Sequence, residues 1–183
     1  MWPRDSGYYT RNNWAGKFRN SSGWILDSPF NNALAHYLNL SLFFGGETFE
    51  TSARPAYLRA QLYRVNPEIE TTDTAMLHAR SANGIDIYFY CTHNPRELYG
   101  PEIEVRGDKG SILWHNGGIT FNCESGRETV EPLSQPADRN AVIDALLGKL
   151  ENPRTFVCTL DIAGAHVLAV NGAHESSPII PVP

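Results

Sequence analysis

Between residues 57 and 131 hydrophobic and polar positions alternate with a period of two, the repeat of a half-buried strand. Residues 85–92 are the clearest stretch: Ile85, Ile87, Phe89 and Cys91 fall on one side, and Asp86, Tyr88, Tyr90 and Thr92 on the other. The same pattern predicts strands at 57–65, 73–80, 102–106, 111–115 and 118–123, with a weaker one at 127–131. Asn83-Gly84, Gly107-Asp108-Lys109-Gly110 and Asn116-Gly117-Gly118 supply the turns. Short turns make consecutive strands antiparallel. The pattern predicts one open, mostly antiparallel sheet of six or seven strands, with one face core and the other polar and aromatic.

Elsewhere the period is helical. Residues 29–44 place Phe30, Ala33, Leu34, Tyr37, Ser41 and Phe44 on one stripe and Asn32, His36 and Asn39 on another. Asp27 or Ser28 can cap this helix, Pro29 suits its first turn, and Gly45-Gly46 suits a left-handed stop. Two late helices follow. Val142, Ile143, Leu146, Leu147 and Leu150 form the apolar face of 136–150, and Phe156, Leu160, Ala163, Val167 and Val170 that of 156–172. One early helix, a sheet and two late helices make an α+β fold with the helices packed on one face. The whole chain reads as a single domain, 1–183, with 176–183 as an extended tail.

Composition narrows the function classes. The 183 residues are 42% hydrophobic and only 19% charged, which excludes bulk disorder. The net charge of -5 and the lack of a Lys/Arg stripe argue against nucleic acid as partner. No apolar run is long enough to span a membrane. Three cysteines, none in a C-x-x-C pair, and no visible signal peptide point to the cytoplasm. The six histidines never occur at metal-ligand spacing, so no metal site is expected. G-x-G-x-x-G, the P-loop and the G-x-S-x-G elbow are all missing.

What remains is a polar cluster at the start of the first helix. Asp27, Asn31 and Asn32 surround a point at which a helix N-terminus presents free N–H groups. Carboxylate and amide groups together suit a hydroxyl-rich ligand. Trp14, Lys17 and Arg19, with Arg11 beside them, lie just upstream, His36 follows on the helix, and His93 opens the loop 93–101 after a strand.

The run SGWILDSPFNNALAHYLNLSLFFGG resembles the motif that opens the C-terminal domain of the Gfo/Idh/MocA (glucose–fructose oxidoreductase / inositol dehydrogenase) family. Phe18-Arg19 resembles the aromatic–Arg pair upstream of that motif, and G-D-K-G-S-I its turn within the sheet. The resemblance implies the C-terminal half of an NAD(P)-dependent oxidoreductase acting on a sugar, cyclitol or related polyol. It further implies that the Rossmann half lies outside this chain, whose first residues are then the first sheet strand. NAD or NADP would be bound in the full-length protein and not by this chain alone. Asp27 matches the motif aspartate, whereas Pro29 replaces its glycine and Asn31 its histidine. Asparagine cannot shuttle a proton near neutral pH. The expectation is that Asp27 and Asn31 are the catalytic pair, and that Trp14, Lys17, Arg19, Asn32, His36 and His93 bind substrate. A homo-oligomer would form through the open sheet face. The alternative is a non-catalytic sheet module for self-association or partner binding.

Overall fold

Leu62, Ala75 and Cys91 lie side by side on three neighbouring strands, as do Ala60, Leu77 and Phe89, and Leu58, Ala79 and Ile87. These rows are the inner face of an antiparallel run of β3 (Pro55–Arg64), β4 (Thr74–Ser81) and β5 (Asp86–Thr92). The alternation that places them there is the one visible in the sequence. The outer face of the same strands carries Tyr57, Met76, Tyr88 and Tyr90, all exposed. In this computed structural model residues 1–132 and 135–183 are described, with the side chains of 135–138 left aside.

The chain divides into two units, Met1–Tyr99 with Asp161–Pro183, and Gly100–Leu160. In the first, β10 (Ile179–Pro181) adds to β3 in parallel, giving the order β10-β3-β4-β5. The tail is thus in part a paired strand. Helices α2 (Ala35–Phe44) and α4 (Leu160–Ser176) bury their side chains with the inner face. The second unit is a four-stranded antiparallel meander of β6 (Glu102–Gly107), β7 (Gly110–His115), β8 (Gly118–Cys123) and β9 (Gly126–Val130), followed by α3 (Gln135–Glu151).

The fold is α+β as expected, and all seven strands of the alternating region form. They make two sheets, however, and not one meander. The break falls at 93–101, where Pro95 and Pro101 remove two backbone donors and no tight hairpin can close. Residues 2–4 bond the end of β5, through Trp2 N–H to Thr92 O (3.1 Å) and Arg4 N–H to His93 O (2.9 Å). They then turn into the short helix α1 (Ser6–Thr10), so the first residues are not a sheet strand.

The first helix also differs in detail. It opens with a 3-10 turn, Pro29–Asn31, and resumes as α2 only at Ala35. Asn32 between them has φ −135° and ψ −100°, which resets the phase. The buried stripe is Phe30, Leu34, Leu38 and Leu42, and Phe44 is exposed. Full burial of such a side chain stabilises the fold by about 1.5–3 kcal/mol. Neither Asp27 nor Ser28 caps a helix through its side chain, and Gly45 ends α2 at φ −85° without a left-handed turn. Close approach accounts for Gly46 instead: a Cβ there would lie 2.1 Å from the Thr51 carbonyl oxygen.

Helix α4 buries Ile162, Ala165, Ala169, Val170 and Ala173, and leaves Leu160 and Val167 exposed. The expected stripe is therefore turned. Alanines let the helix approach the sheet closely, and a larger residue at Ala169 would cost about 1–3 kcal/mol by overpacking. On α3 the expected apolar face, Val142, Ile143, Leu146, Leu147 and Leu150, is exposed. No helix among the described residues is long and apolar enough to cross a membrane.

Candidate functional site

Asp27 is delivered by a short backbone pairing. Ile25 and Leu26 N–H donate to Phe18 O (2.8 and 3.0 Å), and Asp27 N–H donates to Lys17 O (3.1 Å). Just outside it, β1 (Arg19–Asn20) and β2 (Gly23–Trp24) form a hairpin. Leu26 adopts φ 53°, the left-handed region that a branched side chain disfavours. Asn31 holds it there: its Nδ2 donates to the carbonyls of Ile25 and Leu26, both at 3.1 Å.

Asp27 is 5% exposed. Its Oδ2 accepts from Gly16 N–H at 2.6 Å, and its Oδ1 from Asn32 Nδ2 at 2.8 Å. Burial pushes its carboxyl above the ordinary carboxylate range, against the pull of those two bonds and of the Arg11 charge. Asn32 also donates to Tyr8 Oη at 3.0 Å. Tyr8 comes from α1, whose N-cap is Asp5, and the Arg11 guanidinium lies 3.4 Å over its ring.

Gly16 links this group to a second loop. Its carbonyl accepts from Glu70 N–H (2.8 Å) and Thr71 N–H (3.2 Å). Its φ is 68°, and a Cβ would stand 2.6 Å from Ile69 Cγ2. Both observations require glycine.

A narrow crevice results, lined by Tyr8, Tyr9, Asp27, Ser28, Pro29, Thr71, Thr72 and His93. Three of its hydroxyls, Tyr9 Oη, Ser28 Oγ and Thr71 Oγ1, are buried without a hydrogen-bond partner. Thr72 differs, because its hydroxyl donates to Tyr63 O at 2.6 Å. His93 is 3% exposed, and its Nδ1 lies 2.9 Å from Trp2 O. Burial holds the His93 imidazole below its usual range, so it is neutral at pH 7. Burial likewise raises the Tyr9 phenol. A buried hydroxyl without a partner costs about 1–3 kcal/mol, and three of them fall among the residues lining this one crevice.

Of the residues singled out in the sequence, Asp27, Asn32 and His93 are gathered here. Asn31 is engaged with backbone carbonyls and braces the loop. The Lys17 ammonium pairs with Glu70 at 3.2 Å and holds that carboxyl below its usual range. Trp14 is half-buried, with the Arg11 guanidinium 5.1 Å from its ring. Arg19 and His36 are exposed and do not line the crevice. Sequence reasoning missed Tyr8, Tyr9, Ser28 and Thr71. The signals were the Tyr8-Tyr9 pair and the Thr71-Thr72-Asp73 run before a strand, neither specific alone. Among the described residues, no group of three or more His, Cys, Asp or Glu could hold a metal.

The geometry defines an α+β domain in which helices back one face of a sheet and a buried carboxylate sits beside the first helix. The chain belongs to the GFO/IDH/MocA C-terminal domain family, whose sequence model matches residues 1–113. Solved structures share its fold. The UDP-N-acetylglucosamine 3-dehydrogenase GnnA from Acidithiobacillus ferrooxidans superposes with a TM-score of 0.63 at 18% identity, over 78% of this chain and 45% of that one. The WlbA dehydrogenase from Bordetella pertussis, solved with NADH and UDP-GlcNAcA, gives 0.63 at 19% identity, over 100% and 53%. An oxidoreductase from Agrobacterium radiobacter, solved with NAD+, L-tartaric acid and magnesium, gives 0.61 at 19%, over 80% and 46%. The chain thus spans about half the length of these oxidoreductases. A search of curated protein sequences returns no match.

Proposed function

We propose that this chain is the substrate-binding and self-associating half of an NAD(P)-dependent oxidoreductase acting on a sugar, cyclitol or related polyol in the cytoplasm. The observation that carries the reading is the crevice: three unpaired buried hydroxyls beside the Asp27 carboxylate. A vicinal diol supplies both the donors and the acceptors such a set lacks. The substrates named for the fold relatives, UDP-N-acetylglucosamine and UDP-GlcNAcA, are sugar nucleotides, in keeping with a hydroxyl-rich ligand.

Each residue has a distinct part. Asp27 and the Ser28, Thr71 and Tyr9 hydroxyls hold ligand hydroxyls, and Asn32 fixes the Asp27 carboxylate against Tyr8. Asn31 is a positioning residue, since its amide is committed to the loop that delivers Asp27. A dinucleotide needs a Gly-rich turn leading from a strand into a helix N-terminus. No such unit is formed among the described residues, and the dinucleotide-binding unit is assigned to the rest of the full-length protein. The exposed outer face of β3–β5 is the surface for a second copy, since homo-oligomers bury self-complementary patches.

The test is a nuclear magnetic resonance titration of the 183-residue chain with myo-inositol and, separately, with UDP-N-acetylglucosamine. The amides of Gly16, Ser28 and Thr71 are expected to shift with at least one of them. Shifts confined to other regions, or none, would refute the site.

A further inference from the structure

We infer that Arg4 and Arg11 form an anion site beside the crevice, for the diphosphate group of a ligand whose sugar end meets the proposed polyol site. The placing of the sugar end rests on the proposed function; the anion site stands on its own geometry.

Trp2, Arg4, Tyr8, Arg11 and Trp14 interleave near the start of the chain. The Arg4 guanidinium lies 5.6 Å from the Trp2 ring centroid and 4.7 Å from that of Tyr8. The Arg11 guanidinium lies 3.4 Å from the Tyr8 centroid and 5.1 Å from that of Trp14. One phenol ring thus holds both cations, which can be no farther apart than their two distances to it laid end to end. Among the described residues neither has a carboxylate within ion-pair distance. Asp5 accepts from Tyr8 N–H at 3.0 Å, and Glu70 is paired with Lys17. Asp27 feels the Arg11 charge, but its oxygens are bonded to Gly16 and Asn32. Each guanidinium carries five N–H donors. Arg4 donates only to Pro3 O, at 3.4 Å, and Arg11 only to Tyr8 O. The aromatic faces hold the two cations in place without neutralising them.

This arrangement selects the anion. A guanidinium grips one phosphate or carboxylate through its planar fork. Two forks on one ring match two linked anionic groups, which a diphosphate has and a monocarboxylate lacks. Tyr8 joins the pair to the crevice that its side chain helps to line, because its Oη accepts from the Asn32 amide that holds Asp27. Arg4 N–H is fixed on His93 O at 2.9 Å. Arg11 is exposed, and Arg4 and Trp14 are half-buried, so the anion binds at the surface and needs no enclosed cavity.

The experiment uses the full chain at pH 7.5 with UDP-N-acetylglucosamine, N-acetylglucosamine, inorganic pyrophosphate and NADH. Affinities come from calorimetry, and the place of binding from the arginine Nε–H and backbone amide resonances. The sugar nucleotide is expected to bind about tenfold or more tightly than the bare sugar, to compete with pyrophosphate and to move both arginine signals. Arg11→Gln should weaken it about tenfold and leave the bare sugar within about twofold. Arg11→Lys, which keeps the charge without the fork, should fall between the two. Arg127→Gln, in the other unit, should change neither affinity. Equal affinities for sugar and sugar nucleotide, a preference that survives Arg11→Gln, or an equal loss in Arg127→Gln would overturn the inference. NADH bound at the two arginines more tightly than the sugar nucleotide would overturn it as well, since the diphosphate would then be the cofactor's. Arginine shifts with silent Gly16, Ser28 and Thr71 amides would refute the proposed function and support the anion site. Crevice shifts with silent arginines would overturn the anion site alone.

Discussion

The backbone N–H of Gly16 donates to the Asp27 carboxylate at 2.6 Å, while the Gly16 carbonyl holds the loop that carries Thr71. One glycine thus ties together the two walls of the crevice. Gly16→Ala would force a Cβ into Ile69 Cγ2 at a backbone conformation that alanine disfavours. A loss of about 1–3 kcal/mol in urea unfolding is expected, with the midpoint lowered at unchanged slope.

Asp27 separates the acceptor role from the charge. Asp27→Ala leaves the Gly16 N–H without a partner and the Asn32 amide with Tyr8 Oη alone, and should cost about 1–3 kcal/mol. Asp27→Asn keeps an acceptor for Gly16 and should cost less. The folded carboxyl titrates above its unfolded value of 3.8, so the native state binds more protons in that window. The contribution of Asp27 to stability therefore falls as pH rises from about 4 through the folded value. Unfolding free energies of native chain and Asp27→Asn, compared across this range, should diverge in favour of the variant as pH rises.

His174 makes the opposite prediction. Its ring lies between Phe18 (5.7 Å) and Phe30 (5.4 Å), both ring nitrogens are buried without partners, and burial lowers its titration. The unfolded chain then binds more protons below pH 6.5, so this residue's share of stability is lost as pH falls through 6.5. His174→Leu should be at least as stable as the native chain, with an advantage that widens on acidification. A constant difference between pH 8 and pH 5 would show that His174 titrates as it does when unfolded.

The outer sheet face is tested by Tyr90→Lys. Tyr90 is 65% exposed, so the change should leave the melting temperature within a few degrees and abolish self-association in sedimentation velocity. A native chain that stays monomeric in sedimentation velocity at about 100 µM would contradict the interface.

How much of this was legible depended on the range of the interactions. Period-two alternation located Ile87, Phe89 and Cys91 on the core face, because that pattern is local. The division into two sheets was not local: it turned on whether β5 or nothing would pair with β6 across 93–101. The phase of the first helix was lost because Asn32 breaks the backbone inside a continuous apolar repeat. Asp27, Asn32 and His93 could be chosen by residue type. Ser28, Thr71 and Tyr9 could not, since their meaning lies in the hydrogen bonds they lack, which only three-dimensional packing reveals.

The central claim is that those unpaired hydroxyls exist for a ligand, and Thr71→Val tests it most directly. The substitution removes a buried, unpartnered hydroxyl at nearly constant volume, and the free protein should become more stable by about 1 kcal/mol or more. Stability and myo-inositol affinity are then measured on the same samples. The account predicts a protein that is more stable and binds about tenfold more weakly. A protein that is more stable and binds as tightly as the native chain would contradict it.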